Sequence, residues 1–317
     1  MSGEGLIGID WGSSHLRAYR FDPLGQVLET RARPWGVRAL PAGGFPAALD
    51  QLLGDWPDLP LLACGMVGSR HGWREVPYRT LPADAQGLAR ALGRVELPAR
   101  GQLSIVPGLH TERGPDVMRG EETQVVGALA QHPELRHAAR IVLPGTHSKW
   151  VTVQAGRVDG FRTAMTGELY ALLRQHSVLG AGMTDAEPAV FHPAAFRRGV
   201  LGARDSGAAG MLSRLFSART LWLDDLLPAQ EIADYLSGLL IGEELRVAAV
   251  LGDVDAREPL RLIGEPTLCA RYVAAIDAFG WPAAQLVEQA AARGLWEIAV
   301  QAELLRGFKA HHRGSVA

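Results

Sequence analysis

A turn near the amino terminus carries side chains that could bind a phosphate group and a metal ion. It follows the apolar run Leu6–Ile9 and contains Asp10, Gly12, Ser13 and Ser14. A glycine lets the backbone approach a ligand closely, and the adjoining N–H groups and hydroxyls are suitable donors to phosphate oxygens. A carboxylate at a strand end offers the hard oxygen that Mg²⁺ prefers. The alternative is a plain hairpin turn in which Asp10 accepts backbone hydrogen bonds.

A second turn of the same kind lies near the middle of the chain and adds a cation. It contains Gly145, Thr146, His147, Ser148 and Lys149. It is not a P-loop, because the Gly-x-x-x-x-Gly-Lys-Ser/Thr spacing and the following helix are both missing. Its glycine, hydroxyls and lysine nevertheless predict phosphate binding. His147 could act as a base or could hold the turn.

Two carboxylates open a predicted helix shortly before this second turn. Glu121 and Glu122 follow Arg119 and Gly120. Because the helix dipole favours acidic residues in the first turn, a cap alone would explain them. The functional interpretation is a general base that takes the proton from a sugar hydroxyl as it attacks a γ-phosphate. Glu121 is the predicted base, and Asp116 and Glu122 stay open as alternatives.

A loop rich in glycine and arginine follows a predicted buried strand, the usual place for ligand loops in α/β sheets. Arg70 and Arg74 could bind a carboxylate through paired hydrogen bonds, and Trp73 could lie against the face of a sugar. The alternative is a solvated loop without a ligand.

The elements around these residues repeat along the chain. Strand, glycine–hydroxyl turn, strand, tight turn and strand occur once from Leu6 and again from Ile141. A repeated unit of this kind indicates a duplicated lobe, although any α/β protein has several glycine turns. The apolar run Leu59–Cys64 is typical of a strand covered on both faces in a layered α/β domain.

The composition excludes several classes of partner. The 317 residues suffice for two domains, and a net charge of -2 without long basic runs gives no reason to expect a nucleic acid. No stretch approaches the roughly 18 apolar residues of a membrane span. Two cysteines and the absence of a signal-peptide pattern predict a cytoplasmic protein. An exposed apolar helix within Leu212–Phe216 or Leu295–Phe308 could build a homodimer.

Three strings resemble the nucleotide motifs of the actin, Hsp70 and sugar kinase superfamily and occur in its order. They are the first turn, the second turn and, as the adenosine motif, Gly264-Glu265-Pro266. The resemblance implies an α/β fold of two ribonuclease H-like lobes, the actin-like ATPase and sugar kinase fold, with a cleft between them. We expect a sugar-acid lobe at 1–110 and a nucleotide lobe at 111–317, whose last helix could pack back on the first lobe.

Longer strings narrow the resemblance to the 2-dehydro-3-deoxygalactonokinases. These strings are Cys64–Trp73, Asp116–Gln124, Pro144–Trp150 and Met165–Leu169. The resemblance implies ATP and Mg²⁺ as cofactors and transfer of the γ-phosphate to the 6-hydroxyl of 2-dehydro-3-deoxy-D-galactonate, a step in galactonate breakdown. The implied partners are therefore a small sugar acid and ATP.

The resemblance also implies roles for single residues. In glycerol-kinase-like relatives a Gly-Asp pair opens the corresponding helix, and its aspartate is the base; here Gly120-Glu121 holds that place. The catalytic residues would be Glu121 and Asp10, with Asp10 as the metal ligand. The nucleotide would contact Gly12, Ser13, Ser14, Gly145, Thr146, His147, Ser148, Lys149, Gly264, Glu265 and Pro266. The sugar acid would contact Met66, Gly68, Ser69, Arg70, Trp73, Asp116 and Arg119.

Two other functions fit the same motifs. Another sugar or sugar-acid kinase of the superfamily would share the turns but accept a different substrate. A non-catalytic actin-like protein would bind nucleotide without transferring a phosphate to a sugar acid. A substrate panel with ATP separates the other kinases, because a carboxylate-binding arginine makes neutral sugars poor acceptors. Concentration-dependent polymerisation, or ATP binding without phosphoryl transfer to any sugar acid, would favour the non-catalytic protein.

Overall fold

The computed structural model describes residues 5–98, 100–112, 114–183, 190–254 and 258–305. These residues form two compact units. The first contains the described parts of Met1–Ala139, Thr152–Phe161 and Glu288–Ala317, and the second those of Arg140–Val151 and Arg162–Val287. The lobe boundary that we expect at residue 110 from the sequence stays a prediction.

The described residues contain both strands and helices. The strands are β1 (Leu6–Trp11), β2 (Leu16–Phe21), β3 (Val27–Arg33), β4 (Leu61–Gly65), β5 (Arg79–Thr80), β6 (Gly93–Leu97), β7 (Gly101–Ile105), β8 (Leu109–Thr111), β9 (Asp116–Met118), β10 (Ala138–Leu143), β11 (Ser148–Gln154), β12 (Arg157–Ala164), β13 (Arg261–Leu262) and β14 (Gln285–Leu286). The α-helices are α1 (Gly44–Leu53), α2 (Ala85–Ala89), α3 (Glu121–Gln131), α4 (Thr166–His176), α5 (Pro193–Arg204), α6 (Ser217–Leu223), α7 (Ile232–Leu251), α8 (Pro266–Phe279) and α9 (Ala290–Gln301).

The first unit is built on a six-stranded sheet in the order β3-β2-β1-β4-β7-β6. β1 is antiparallel to β2 and parallel to β4, which is parallel to β7. The adjacent residues Leu6 and Ile7 of β1, whose side chains point to opposite faces, are both fully buried, as is typical of a strand covered on both faces. Because β1 and β4 are parallel, their carboxyl ends lie at one edge of the sheet, where ligand loops usually occur.

Two glycines let α9 cross α3 at a very short distance within the first unit. A methyl group on Gly294 would lie 1.8 Å from the Thr123 carbonyl oxygen, and one on Gly127 would lie 1.9 Å from the Ala290 carbonyl oxygen. A side chain at either position would therefore push the helices apart. α9 also packs on β1, where Leu295 is fully buried. The helix thus fixes α3 relative to the central strand.

The second sheet, most of it in the second unit, repeats the strand order of the first. It runs β12-β11-β10-β13-β14, which corresponds to β3-β2-β1-β4-β7. β10, β13 and β14 are parallel, as are β1, β4 and β7. The two predicted three-strand runs, from Leu6 and from Ile141, are both present. The α/β class predicted from the sequence is confirmed.

The apolar segments named for a homodimer differ in exposure. Leu212 and Phe216 are 80% and 59% exposed, whereas Leu295 is fully buried against β1. Residues 306–308 lie outside the described residues. The homodimer itself stays a prediction. None of the helices in the described ranges combines the length and the hydropathy that a bilayer span requires.

The α3–α9 crossing can be tested with Gly294→Ala. We expect the variant to lose about 3 kcal/mol of unfolding free energy, because its methyl group would collide with backbone. The control is Gly202→Ala in α5, where the added methyl would lie 3.5 Å from its nearest neighbour and should leave stability unchanged or raise it by up to ~1 kcal/mol. Urea unfolding of both variants measures the difference, and equal stabilities would contradict the crossing.

Candidate functional site

Two glycines bring the ends of β1 and β4 and the start of α3 together in the first unit. Gly65 has a φ of 92°, and a methyl group on it would lie 2.7 Å from the Trp11 carbonyl oxygen. Gly120 has a φ of 111°, and a methyl group on it would lie 3.3 Å from the Gly65 Cα. Positive φ and close backbone approach both favour glycine. The carboxylates beside these contacts, Asp10 and Glu121, are thereby held at the same edge of the sheet.

The Asp10 carboxylate has the chemistry expected of a magnesium ligand. Burial raises its pKa above the ordinary value of 3.8, and Arg17 partly counteracts this shift. Its Oδ1 accepts a long hydrogen bond from the Cys64 thiol at 3.9 Å. Within the described ranges, no group of three or more His, Cys, Asp or Glu residues is arranged to hold a metal ion. Since Mg²⁺ is commonly held by one or two carboxylates together with substrate phosphates, the single carboxylate fits it.

The turn after β1 is held by its own backbone and by a distant glycine. Gly12 N donates to the His15 carbonyl oxygen at 2.9 Å. A methyl group on Gly36 would lie 2.0 Å from the Ser13 carbonyl oxygen, so this segment packs directly behind the turn. Ser13 is partly exposed and Ser14 is exposed. Their accessibility is compatible with the predicted phosphate contacts, which stay predictions.

Arg17 is a cation at this site that the sequence analysis did not single out. It lies directly opposite Asp10 in the β1–β2 pair and is exposed. Side chains opposite each other on an antiparallel pair share a face, so the guanidinium lies near the carboxylate. A hydrogen bond with Tyr19 is the largest of the causes that raise the pKa of Arg17. The hairpin register around the first turn was the signal that could have revealed it.

The two glutamates at the start of α3 differ in solvent exposure. Glu122 is fully buried, and it accepts hydrogen bonds from Gly120 N at 2.7 Å and Thr123 Oγ1 at 3.0 Å. Burial, and secondarily the charge of Glu121, raise the pKa of Glu122 to about 8. Glu121 is partly exposed and accepts a hydrogen bond from Arg119 N at 2.9 Å. A base must reach its substrate, so the geometry favours Glu121 over Glu122.

Some of the residues predicted to contact the sugar acid are exposed, and others are buried. Arg70 is exposed, whereas Ser69 and Arg119 are 7% and 8% exposed. Arg119 Nη2 donates to the Val76 carbonyl oxygen at 2.8 Å, and its guanidinium carbon lies 4.2 Å from the centroid of the Tyr78 ring. Among the described residues, Ser69 Oγ and Arg119 Nε and Nη1 find no hydrogen-bond partner. Buried donors without partners are costly, which makes water or a ligand oxygen a favourable addition here.

The remaining residues predicted to contact the sugar acid lie in three different parts of the first unit. Met66 and Gly68 form a single 3₁₀ turn directly after β4. The Trp73 ring stacks on Phe45, with centroids 5.6 Å apart and planes 14° apart, so one of its faces is already covered. Asp116 begins β9, and its Oδ1 accepts a hydrogen bond from the next backbone N–H at 2.7 Å. Their contacts with a substrate stay predictions.

The second glycine–hydroxyl turn lies against the start of α4 in the second unit. A methyl group on Gly167 would lie 2.5 Å from the Gly145 carbonyl oxygen. Glu168 N donates to the Thr146 carbonyl oxygen at 3.0 Å, and the Glu168 side chain forms a hydrogen bond with His147. This hydrogen bond favours a role for His147 in holding the turn. The base role that the sequence left open stays a prediction.

The last two residues of this turn point into the unit. Lys149 Nζ donates to Thr163 Oγ1 at 2.7 Å, and Ser148 Oγ forms a hydrogen bond of 2.8 Å with the Tyr272 hydroxyl. Lys149 is 5% exposed and Ser148 is fully buried, whereas the two preceding residues are exposed. The exposed part of the turn is thus Thr146 and His147, and direct phosphate contacts by Ser148 and Lys149 stay predictions.

A cavity of about 130 Å³ lies beside the turn, entirely within the second unit. Gly145 lines it, together with side chains from α4, α7 and α8. The predicted adenosine string begins α8, where Glu265 caps the helix by accepting hydrogen bonds from the backbone N–H groups of the second and third residues after it at 2.9 and 2.8 Å. A methyl group on Gly264 would lie 3.3 Å from the Pro144 carbonyl oxygen. The structure therefore brings the adenosine string and the second turn together.

The fold belongs to the class of actin-like ATPases and sugar kinases. The activator of the 2-hydroxyisocaproyl-CoA dehydratase from Clostridium difficile, solved with bound ADPNP, covers 99% of this chain and 98% of its own with a TM-score of 0.51 at 11% identity. Component A of the (R)-2-hydroxyglutaryl-CoA dehydratase from Acidaminococcus fermentans matches with a TM-score of 0.50 at 10% identity. At such low identity these likenesses concern the fold alone.

Closer similarities define the family. The family model of 2-keto-3-deoxy-galactonokinase matches residues 10–298. The 2-dehydro-3-deoxygalactonokinase of Escherichia coli (strain K12) is 37% identical over 278 residues, which is 86% of this chain and 90% of that protein. A crystal structure from Sinorhizobium meliloti, assigned to the 2-dehydro-3-deoxygalactonokinases, has a TM-score of 0.84 at 33% identity and covers 93% of this chain and 98% of its own. This chain belongs to the 2-keto-3-deoxy-galactonokinase family, which confirms the resemblance found in the sequence.

The raised pKa of Glu122 can be tested through the pH dependence of stability. Because its folded-state pKa of about 8 exceeds the ordinary 4.5, the contribution to stability is complete below the ordinary value and is lost as the pH rises through about 8. Glu122→Gln mimics the neutral acid. We expect the unfolding free energy of the parent to fall relative to that of the variant between about pH 5 and pH 8. Parallel pH curves in urea unfolding would contradict the assignment.

Proposed function

We propose that this chain transfers the γ-phosphate of ATP to the 6-hydroxyl of 2-dehydro-3-deoxy-D-galactonate, a step in galactonate breakdown. The observation that carries the proposal is the pair Asp10 and Glu121, held at one sheet edge by the Gly65–Gly120 contact. Membership of a family of keto-deoxy-sugar kinases over residues 10–298 supports the choice of substrate. The relatives' names supply the galacto configuration.

In the first unit, we assign the phosphate and metal contacts to the residues around the first turn. Asp10 would hold Mg²⁺, which neutralises phosphate charge when bound. The turn N–H groups and the hydroxyls of Ser13 and Ser14 would donate to phosphate oxygens. Arg17, exposed on the same face as Asp10, adds a cation suited to the same oxygens.

The general base is assigned to Glu121. It is partly exposed, whereas Glu122 is fully buried and has a pKa of about 8. The Arg119 N–H donates a hydrogen bond to the Glu121 carboxylate and holds it at the start of α3. Phosphoryl transfer requires mainly a correctly placed hydroxyl and stabilised charge, so the role of Glu121 is to orient the hydroxyl and take its proton.

We assign binding of the sugar-acid carboxylate to the loop after β4. Arg70 is exposed at this loop and can present paired N–H donors. Ser69 precedes Arg70 in the loop, and Arg119 packs against the loop at Gly68; both are buried and have donors without partners among the described residues. Through the electrostatic potential of the loop, these donors would stabilise the negative charge of the bound sugar acid.

In the second unit, we assign the nucleotide to the turn from Gly145 and to the cavity beside it. The cavity is lined by that turn and by the helix that follows Gly264-Glu265-Pro266. The exposed Thr146 and His147 would face phosphate oxygens. Because the members of this family are kinases, we propose ATP as the phosphate donor.

The base assignment is tested with Glu121→Gln. We expect kcat for the keto-deoxy acid to fall by about 100-fold or more, because the amide cannot accept the hydroxyl proton. Nucleotide affinity should be retained, as measured by calorimetry. Glu122→Gln is the matched comparison, since it removes an adjacent carboxylate that is buried. Loss of turnover in Glu122→Gln but not in Glu121→Gln would move the base to Glu122.

The acceptor assignment is tested with Arg70→Ala. We expect KM for the sugar acid to rise by about 10-fold or more, with KM for ATP unchanged, because a charge-assisted hydrogen bond is lost. Arg94→Ala removes an exposed arginine on β6 and is the control. A panel of keto-deoxy acids and neutral sugars, followed by ADP release, completes the test. Equal changes in both KM values, or parental turnover of neutral sugars, would contradict the proposal.

A further inference from the structure

A buried carboxylate lies behind the second turn, and neither the motifs nor the proposed mechanism uses it. Glu244 of α7 is 3% exposed, yet its two oxygens accept three side-chain hydrogen bonds. Trp150 Nε1 donates to Oε1 at 2.5 Å, and the Tyr272 hydroxyl donates to Oε2 at 2.7 Å. The Thr166 hydroxyl also donates to Oε2. The carboxylate thus joins β11, α4, α7 and α8 of the second unit.

The hydrogen bond from Tyr272 continues to the backbone of the turn. Tyr272 has one hydroxyl hydrogen, and it is donated to Glu244. The Ser148 hydroxyl, 2.8 Å away, must therefore donate to the Tyr272 oxygen. Ser148 Oγ in turn lies 3.4 Å from the Gly145 N, from which it accepts a hydrogen bond. Because Glu244 accepts the Tyr272 hydrogen bond, it fixes the direction of this whole chain of bonds.

The same residues line the cavity assigned to the nucleotide. Gly145, Thr166 and Tyr272 are three of its lining residues, and each is bonded to Glu244 directly or through the chain of hydrogen bonds. Glu244 itself does not line the cavity. It therefore acts on the walls of the cavity and does not contact a ligand.

Stability alone does not explain a carboxylate at this position. Burial raises the pKa of Glu244, while the hydrogen bonds from Thr166, Tyr272 and Trp150 and the charge of Arg162 lower it. Replacing a buried charged group with well-packed apolar residues is often neutral or stabilising. What an apolar residue cannot do is orient three donors at once and, through them, a backbone N–H of the turn.

We propose that Glu244 is a positioning residue for nucleotide binding, which acts through Tyr272 and Ser148 on the Gly145 end of the second turn. The inference rests on the proposed function in that the ligand is taken to be ATP. It adds a role for three buried side chains, Ser148 within the turn and Glu244 and Tyr272 behind it.

The test compares two buried tyrosines of the second unit. Tyr272→Phe deletes the hydroxyl that joins Glu244 to Ser148 and leaves the ring in place. Tyr235→Phe deletes a hydroxyl that bonds Ser217 Oγ at 2.7 Å. Tyr272 is 1% and Tyr235 4% exposed, so the two substitutions are made at similarly buried positions. Affinity for a non-hydrolysable ATP analogue is measured by calorimetry, with KM and kcat from an ADP-release assay.

We expect Tyr272→Phe to weaken binding of the analogue and to raise KM for ATP by about tenfold, with KM for the sugar acid unchanged. Tyr235→Phe should bind the analogue like the parent. Glu244→Gln is the second variant. It should weaken binding of the analogue to a similar extent. The double variant with Tyr272→Phe should bind the analogue little more weakly than either single variant, because both changes act through one chain of hydrogen bonds.

Equal binding of the analogue by parent and Tyr272→Phe, or equal losses in Tyr272→Phe and Tyr235→Phe, would overturn the proposal. Additive losses in the double variant would do so as well. A parent that binds the analogue but phosphorylates no keto-deoxy acid would refute the proposed function and leave the positioning role standing. A parent that does not bind the analogue would refute the positioning role directly.

Discussion

The candidate catalytic edge of the first unit depends on a backbone contact that side chains would prevent. Gly65 lies against the Trp11 carbonyl group, and Gly120 lies against Gly65. Both glycines have positive φ, so conformational freedom and close approach are required at the same positions. Through this contact, two parallel strands and the start of a helix place Asp10 and Glu121 at one edge. A β-carbon at either glycine would move these elements apart and separate the carboxylates.

Buried carboxylates serve different purposes in the two units. Glu122 is surrounded by the backbone of its own helix start and by Glu121, and its raised pKa keeps it protonated near neutral pH. Glu244 receives three donors, which lower its pKa against the effect of burial. Burial raises the pKa of both carboxyls above the ordinary value, and they differ in their side-chain donors, one at Glu122 and three at Glu244. The first stays a neutral neighbour of the proposed base, and the second organises donors around the proposed nucleotide cavity.

Much of the architecture could be predicted from the chain because its signals are local. Apolar runs broken by glycine turns predicted the three-strand runs from Leu6 and Ile141, and both are present. The helix after Gly120 and the capped helix after Glu265 also follow from residue type and spacing. Arg17 was missed because its closeness to Asp10 depends on hairpin register, which composition does not express. Glu244 was missed because its partners come from three other elements.

The sequence by itself determined the fold class, the family and the residue types available for phosphate, metal and carboxylate chemistry. The tertiary structure decided which of those residues are accessible. It buries Glu122 and Ser148, leaves Glu121 and Arg70 in reach of solvent, and turns Tyr272 toward Glu244. The physical reason is that motif spacing is set by local backbone geometry. Burial, pKa and hydrogen-bond direction arise from residues far apart in the chain that meet after folding.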